Sequence, residues 1–172
     1  METNKKSALD TAANIAIIVV CIIAAAVLIQ RNFFPSRPPG APPEAAKGET
    51  FAALRDVVPA GTQKALVVAL SPTCHFCNDS MPFYKQLVEK RNQSNSPVKV
   101  IAAVPAETAK PEEEKNLAAN GVQPDAVVHV DFSKIKVPGT PTVLLVDNQG
   151  KVLDVWVGKL DESRESQVLA SL

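Results

Sequence analysis

The sequence predicts an α/β domain, a central mixed β-sheet flanked by helices, preceded by one N-terminal transmembrane helix. Three observations carry this. From residue 50 onward, short apolar runs of strand length alternate with helix-patterned stretches. Cys74-His75-Phe76-Cys77 sits where one such strand hands over to a helix. Residues 11–29 hold no charged side chain, and only Thr11 and Asn14 among them are polar. At 172 residues the chain has room for one ordinary domain and an extension. Lys plus Arg equals Asp plus Glu at 18 each, so no charge excess recommends nucleic acid.

Residues 1–10 form a short tail. As a helix, residues 11–29 would run about 28 Å, close to the thickness of the hydrocarbon core, so a span over 11–30 in contact with a lipid bilayer is expected. A cleaved signal peptide competes, since Ala24-Ala25-Ala26 offers small residues, but Val27, Leu28 and Ile29 continue the apolar run past them. Cys21 within the run is read as a packing or lipid-facing residue. Lys5 and Lys6 precede the span and Arg31 and Arg37 follow it, so the positive-inside count is nearly balanced and leans weakly to a cytoplasmic N-terminus. Residues 31–49 read as a linker, with Pro35, Pro38, Pro39, Pro42 and Pro43 favouring an extended conformation that would reach roughly 50 Å.

The domain, 50–172, is expected to begin with a short helix over 51–58. Ala65–Leu70 is a continuous apolar run, the pattern of a strand buried on both faces. Residues 74–92 read as a helix with Phe83, Leu87 and Val88 on one side. A strand follows at 98–104. A helix over 111–120 starts at Pro111 with the acids Glu112-Glu113-Glu114, read as a solvated helix start, and stops before Gly121. Strands are expected at 126–131, 142–147 and 151–158, the last two joined by Asn148-Gln149-Gly150. Residues 161–171 close the chain as a helix capped by Asp161.

The dithiol carries chemistry because of where it lies. A cysteine in the first turn of a helix faces unpaired backbone N–H groups and the positive end of the helix dipole. Both favour thiolate over thiol, so the Cys74 pKa is expected below the free value of about 8.5. Cys77 lies one turn further on, within reach of a disulfide. Cys74 then exchanges through a mixed disulfide and Cys77 resolves it. His75 is either a solvated spacer or, when protonated, a group that favours the Cys74 thiolate further; with Phe76 it forms the dipeptide expected to tune the pair. Sulfur exchange needs no cofactor, and none is expected.

Ser71-Pro72-Thr73-Cys74-His75-Phe76-Cys77, then Pro82, then Gly139-Thr140-Pro141-Thr142 leading into VLLVDNQGKV, resembles the thioredoxin superfamily over roughly residues 60–170. With the anchor, the chain is similar to the membrane-anchored bacterial proteins of the TlpA and ResA type. The resemblance implies a thioredoxin-like fold, with Cys74 as nucleophile and Cys77 as the buried resolving cysteine. It implies that Pro141 is the cis proline beside the dithiol, that the backbone of Thr140 pairs with an extended client, and that Pro82 kinks the active-site helix. Partners would be protein clients with cysteines or disulfides and a redox partner supplying or accepting electrons, on the extracytoplasmic, periplasmic side of the cell membrane. Two positions depart from the pattern: Thr73 replaces the usual tryptophan, and Val68 stands where thioredoxin carries a buried aspartate.

A zinc site is the chemical rival, but the soluble part offers only Cys74, Cys77, His75 and His129, with His75 poorly placed between the cysteines. No metal is expected. A copper-handling role and a non-catalytic interaction module also compete with the redox function. Tethered relatives of this kind act mainly as reductases, which is the direction favoured.

Overall fold

The computed structural model describes residues 15–28 and 43–172. They fall in two units, Met1–Ala41 and Pro42–Leu172. In the first, residues 15–28 form helix α1, and its side chains are exposed throughout. The described residues of α1 measure about 21 Å along the axis, against about 30 Å for the hydrocarbon core. No helix among the described residues is long and apolar enough to cross a membrane. The expected tail 1–10, the flanks of the expected span at 11–14 and 29–30, and linker residues 31–42 lie outside the described residues.

The second unit is built on five strands, β1 (Lys64–Ala69), β2 (Lys99–Val104), β3 (Ala126–His129), β4 (Thr142–Asp147) and β5 (Val152–Val157). Their order is β3-β2-β1-β4-β5. β1, β2 and β3 run parallel, while β4 pairs antiparallel with β1 and β5. The sheet is therefore mixed, as its sequence pattern predicts. Around it lie α2 (Ala52–Arg55), α3 (His75–Asp79), α4 (Met81–Gln93), α5 (Lys110–Ala119), a 3-10 turn over Phe132–Ile135, and α6 (Glu162–Ala170).

Alternation along β1 divides the core. Leu66, Val68 and Leu70 pack with Phe83 and Leu87 of α4, Leu117 of α5 and Val168 of α6. Ala65, Val67 and Ala69 face the other way, onto Leu54 of α2, Ile135, Val137 and Ala45. Small alanines on this second face match its thin cover, a four-residue helix and a 3-10 turn. Each fully buried leucine, such as Leu54 or Leu87, contributes about 1.5–3 kcal/mol.

Four stretches differ from the sequence pattern by more than a residue. The expected helix 74–92 is two helices, broken at Ser80. Pro82, the second residue of α4, has no N–H to donate one turn back, and the Ser80 hydroxyl and N–H both donate to the Phe76 carbonyl, at 2.8 and 3.2 Å. Strand β3 stops at His129 because Asp131 caps the 3-10 turn, accepting from the Ser133 N–H at 3.1 Å. The helix expected at 51–58 closes after Arg55. Residues 45–49 of the expected linker are fastened to the domain: the Ala45 N–H donates to the Lys136 carbonyl, the Gly48 N–H to Val152 and the Val152 N–H to Glu49, each at 2.8 Å. Glu49 also pairs with Lys136.

The β4–β5 turn shows why glycine ends Asn148-Gln149-Gly150. Gly150 has φ +78°, and a Cβ there would lie 2.3 Å from the Phe51 carbonyl oxygen. The Asp147 carboxylate completes the turn by accepting from the N–H groups of Gln149 and Lys151 at 2.9 and 3.0 Å.

Candidate active site

β1 leads out of the sheet through Ser71-Pro72-Thr73 to Cys74, the N-cap residue of α3, with φ −84° and ψ 111°. Its Sγ accepts from the Cys77 N–H at 3.2 Å, in the role a serine or aspartate oxygen takes at other helix starts. From the other side, β4 is entered through Thr140-Pro141, whose peptide bond is cis. The Cys74 thiol donates to the Thr140 carbonyl at 3.1 Å. Two segments 66 residues apart in sequence thus meet at one sulfur.

The two sulfurs are unlike. Cys74 is half-buried and Cys77 is 1% exposed; neither is bonded to the other, so the structure holds the reduced pair. Partial burial pushes the Cys74 thiol up, but hydrogen bonds from the Cys77 thiol, the Thr140 side chain and the N–H groups of Cys77 and Phe76 outweigh it and leave the pKa lowered. Burial pushes Cys77 up, and its hydrogen bond to the Cys74 sulfur adds to this; backbone Ser71 and the Thr140 side chain oppose, and the pKa stands at about 12. Of the two sulfurs, Cys74 therefore loses its proton first and Cys77 keeps its own.

His75 and Phe76 are both exposed, Phe76 at 56%. Their rings tilt together at 5.8 Å between centroids. The His75 Nε2 lies 3.7 Å from an Asp79 carboxylate oxygen, one helical turn along. That same oxygen accepts from Lys159 Nζ at 2.9 Å. The hydrogen bond from Lys159 holds the Asp79 carboxyl below the usual range against desolvation, with His75 adding to the effect. Lys159 follows Gly158, whose N–H donates to the Pro141 carbonyl at 2.8 Å. Thr140 is half-buried and Pro141 buried.

The residues singled out in the sequence therefore converge, Cys74, Cys77, His75 and Phe76 on α3 against Thr140 and Pro141. Asp79 and Lys159 join them and are not singled out by the sequence. The His75–Asp79 spacing of one turn is legible there; the pairing of Asp79 with a lysine 80 residues on is not. Val68 is packed among Leu70, Tyr84, Val100 and Leu117 around a void of about 10 Å³, so β1 turns no carboxylate towards Cys77. His129 is bound away from the pair, its Nε2 lying 2.7 Å from the Thr108 carbonyl oxygen. Among the described residues no group of three or more His, Cys, Asp or Glu side chains is placed to hold a metal ion.

A dithiol at the start of a helix, set beside a cis proline at one end of a mixed five-stranded sheet, defines a thioredoxin-like domain. A family model described as thioredoxin-like domain matches residues 51–172, and the chain belongs to that family. A DsbF homologue from Corynebacterium diphtheriae superposes with a TM-score of 0.53 at 17% identity, covering 80% of this chain and 97% of its own. StoA from Bacillus subtilis gives 0.52 at 17%, covering 65% and 84%. A secreted thiol-disulfide isomerase from Corynebacterium glutamicum gives 0.50 at 13%, covering 63% and 69%. At these identities the likeness is one of fold. No curated protein sequence matches.

Proposed function

We propose that the chain is a membrane-tethered thiol–disulfide oxidoreductase of the TlpA and ResA type, acting on protein clients outside the cytoplasm, as a reductase. The observation that carries this is the asymmetry of the pair: a half-buried cysteine with lowered pKa beside a fully buried one raised to about 12. The Cys74 thiolate attacks a client disulfide, forming a Cys74–client bond and releasing one client sulfur as thiolate. Cys77 then loses its proton and attacks the Cys74 Sγ. The second client sulfur leaves, Cys74 and Cys77 close a disulfide, and two electrons have passed to the client. A dithiol partner restores the reduced pair.

Ionisation of Cys74 removes the S–H that the Thr140 carbonyl accepts. That carbonyl then becomes free for a backbone N–H of an extended client lying beside Pro141. Tethering rests on the uncharged run 11–29, within which α1 is apolar and exposed. Placement outside the cytoplasm draws on the neighbour described as secreted and on where disulfide exchange is used.

The test uses the full-length chain in detergent. Insulin reduction should be abolished in Cys74→Ser, and Cys77→Ser should accumulate mixed disulfides with clients. Unchanged turnover in Cys74→Ser would falsify the assignment. A reduction potential near about −270 mV marks a reductant, and one near about −120 mV an oxidant. In intact cells, a membrane-impermeant maleimide should label Cys74; labelling only after lysis would overturn the placement.

A further inference from the structure

We propose that Asp79 and Lys159 are positioning residues of the dithiol: an ion pair that ties α3 to the loop behind Pro141 and, by cancelling the Asp79 charge, keeps the Cys74 thiolate favoured. This rests on the oxidoreductase reading of the same site.

The geometry assigns Lys159 two tasks. Gly158 holds the Pro141 carbonyl at 2.8 Å, and the next residue, Lys159, holds Asp79 at 2.9 Å. Both walls around the Cys74 sulfur, α3 and the Thr140-Pro141 segment, are therefore joined to consecutive residues. The second task is electrostatic. Asp79 lies five residues after Cys74, at the end of the short helix that the sulfur caps. A carboxylate there opposes a thiolate, and it is offset by Lys159 on one side and reached by the His75 ring on the other. The other ionisable groups near the pair are Tyr84 on α4, held neutral by burial with the two cysteines adding to this, and Glu165 on α6, raised by partial burial and its acidic neighbours, with Lys159 opposing.

The charges give opposite signs to the two single substitutions. Lys159→Met leaves the Asp79 carboxylate uncompensated and disfavours the thiolate. Asp79→Asn leaves the Lys159 cation and favours it. Because a stabilised thiolate stabilises the reduced pair, Asp79→Asn makes the disulfide more oxidising and Lys159→Met more reducing. A purely mechanical tie would send both variants the same way, since either one cuts it.

The experiment follows alkylation of Cys74 by iodoacetamide against pH in the reduced full-length chain in detergent, with the glutathione redox equilibrium measured in parallel. At neutral pH, Lys159→Met should slow alkylation about two- to threefold and Asp79→Asn should speed it by a similar factor, the size expected of charges screened by solvent. The double variant should return towards wild type, and Lys159→Arg should match wild type. Equal displacement of both single variants in one direction, or no displacement in either, overturns the inference. Thermal melts identify any variant that has lost its fold, and the Lys159→Arg and Lys159→Gln pair then carries the same comparison. A wild-type chain with no low-pKa thiol and no turnover would instead sink the oxidoreductase reading itself.

Discussion

The two ends of the sheet each hold a carboxylate facing two basic side chains, and they put it to different use. At the dithiol end, Asp79 meets Lys159 and His75 with side chains that are 34%, 48% and 82% exposed. At the opposite end, Asp125 meets Arg91 at 3.0 Å and Lys99 at 3.0 Å, and its second oxygen accepts from the Val100 N–H at 2.8 Å. The Arg91 and Asp125 side chains are only 13% and 16% exposed. Enclosure separates them. A screened pair in water contributes little to folding but can still bias a charge nearby, whereas an enclosed carboxylate holding a backbone N–H binds α4, β2 and the start of β3 together.

Breaking the enclosed cluster should therefore have the largest effect on stability. Asp125→Ala leaves the Val100 N–H and the Arg91 guanidinium without their acceptor, at a cost of about 2 kcal/mol in chemical denaturation. The sign with pH follows from the carboxyl: burial raises it, but the Val100 N–H, Lys99 and Arg91 outweigh this and leave it lowered. Its stabilisation is present above the ordinary carboxylate value and is lost as pH falls through the lowered one. The variant should show a flatter acid limb than wild type. Equal acid sensitivity in the two would assign the loss to shape and not to charge.

A third carboxyl sharpens the contrast. Glu113, in the acidic start of α5, is 1% exposed and one of its oxygens has no hydrogen-bond partner. Burial raises its pKa, with the Asn116 side chain opposing. Here the folded state holds the proton more tightly, so stability is greatest below the ordinary carboxylate value and falls as pH rises through the raised one. Glu113→Gln removes that titration. Denaturation midpoints of the variant and wild type should lie close together in acid and diverge towards neutrality, with the variant the more stable. A constant offset at all pH values would show that Glu113 titrates alike in the folded and unfolded states.

Glu113 also marks a limit of what sequence carries. Glu112-Glu113-Glu114 reads as a solvated helix start, which the exposed Glu112 and Glu114 satisfy. Glu113 turns inward because Leu117, one turn later, is fixed in the core, and helical spacing places the two on one side. Strands were legible wherever burial on both faces writes an unbroken apolar run, as in β1, and wherever a turn residue has no substitute, as at Gly150. The division of α3 from α4 was half-legible: Pro82 announces a disturbance, but its place depends on the Ser80 hydroxyl reaching the Phe76 carbonyl. In the site, the residues that do chemistry by local position could be read, since a helix start needs only neighbouring residues. The Thr140 carbonyl on the Cys74 sulfur and Lys159 on Asp79 are set by the crossing of distant segments, which no spacing records.

The smallest effect is expected at the exposed pair, and salt distinguishes it. Lys159→Met and Asp79→Asn should leave the denaturation midpoint where it is in wild type, because both side chains already meet water and solvate in the unpaired state. Their influence on Cys74 is through solvent, where the screening length falls from about 10 Å at 0.1 M salt to about 3 Å at 1 M. The opposed alkylation rates of the two variants should accordingly converge on the wild-type rate in about 1 M potassium chloride. The Asp125→Ala deficit should persist under the same conditions, since its hydrogen bond to Val100 is enclosed. If salt erased both effects alike, enclosure would not be what distinguishes the two ends of the sheet.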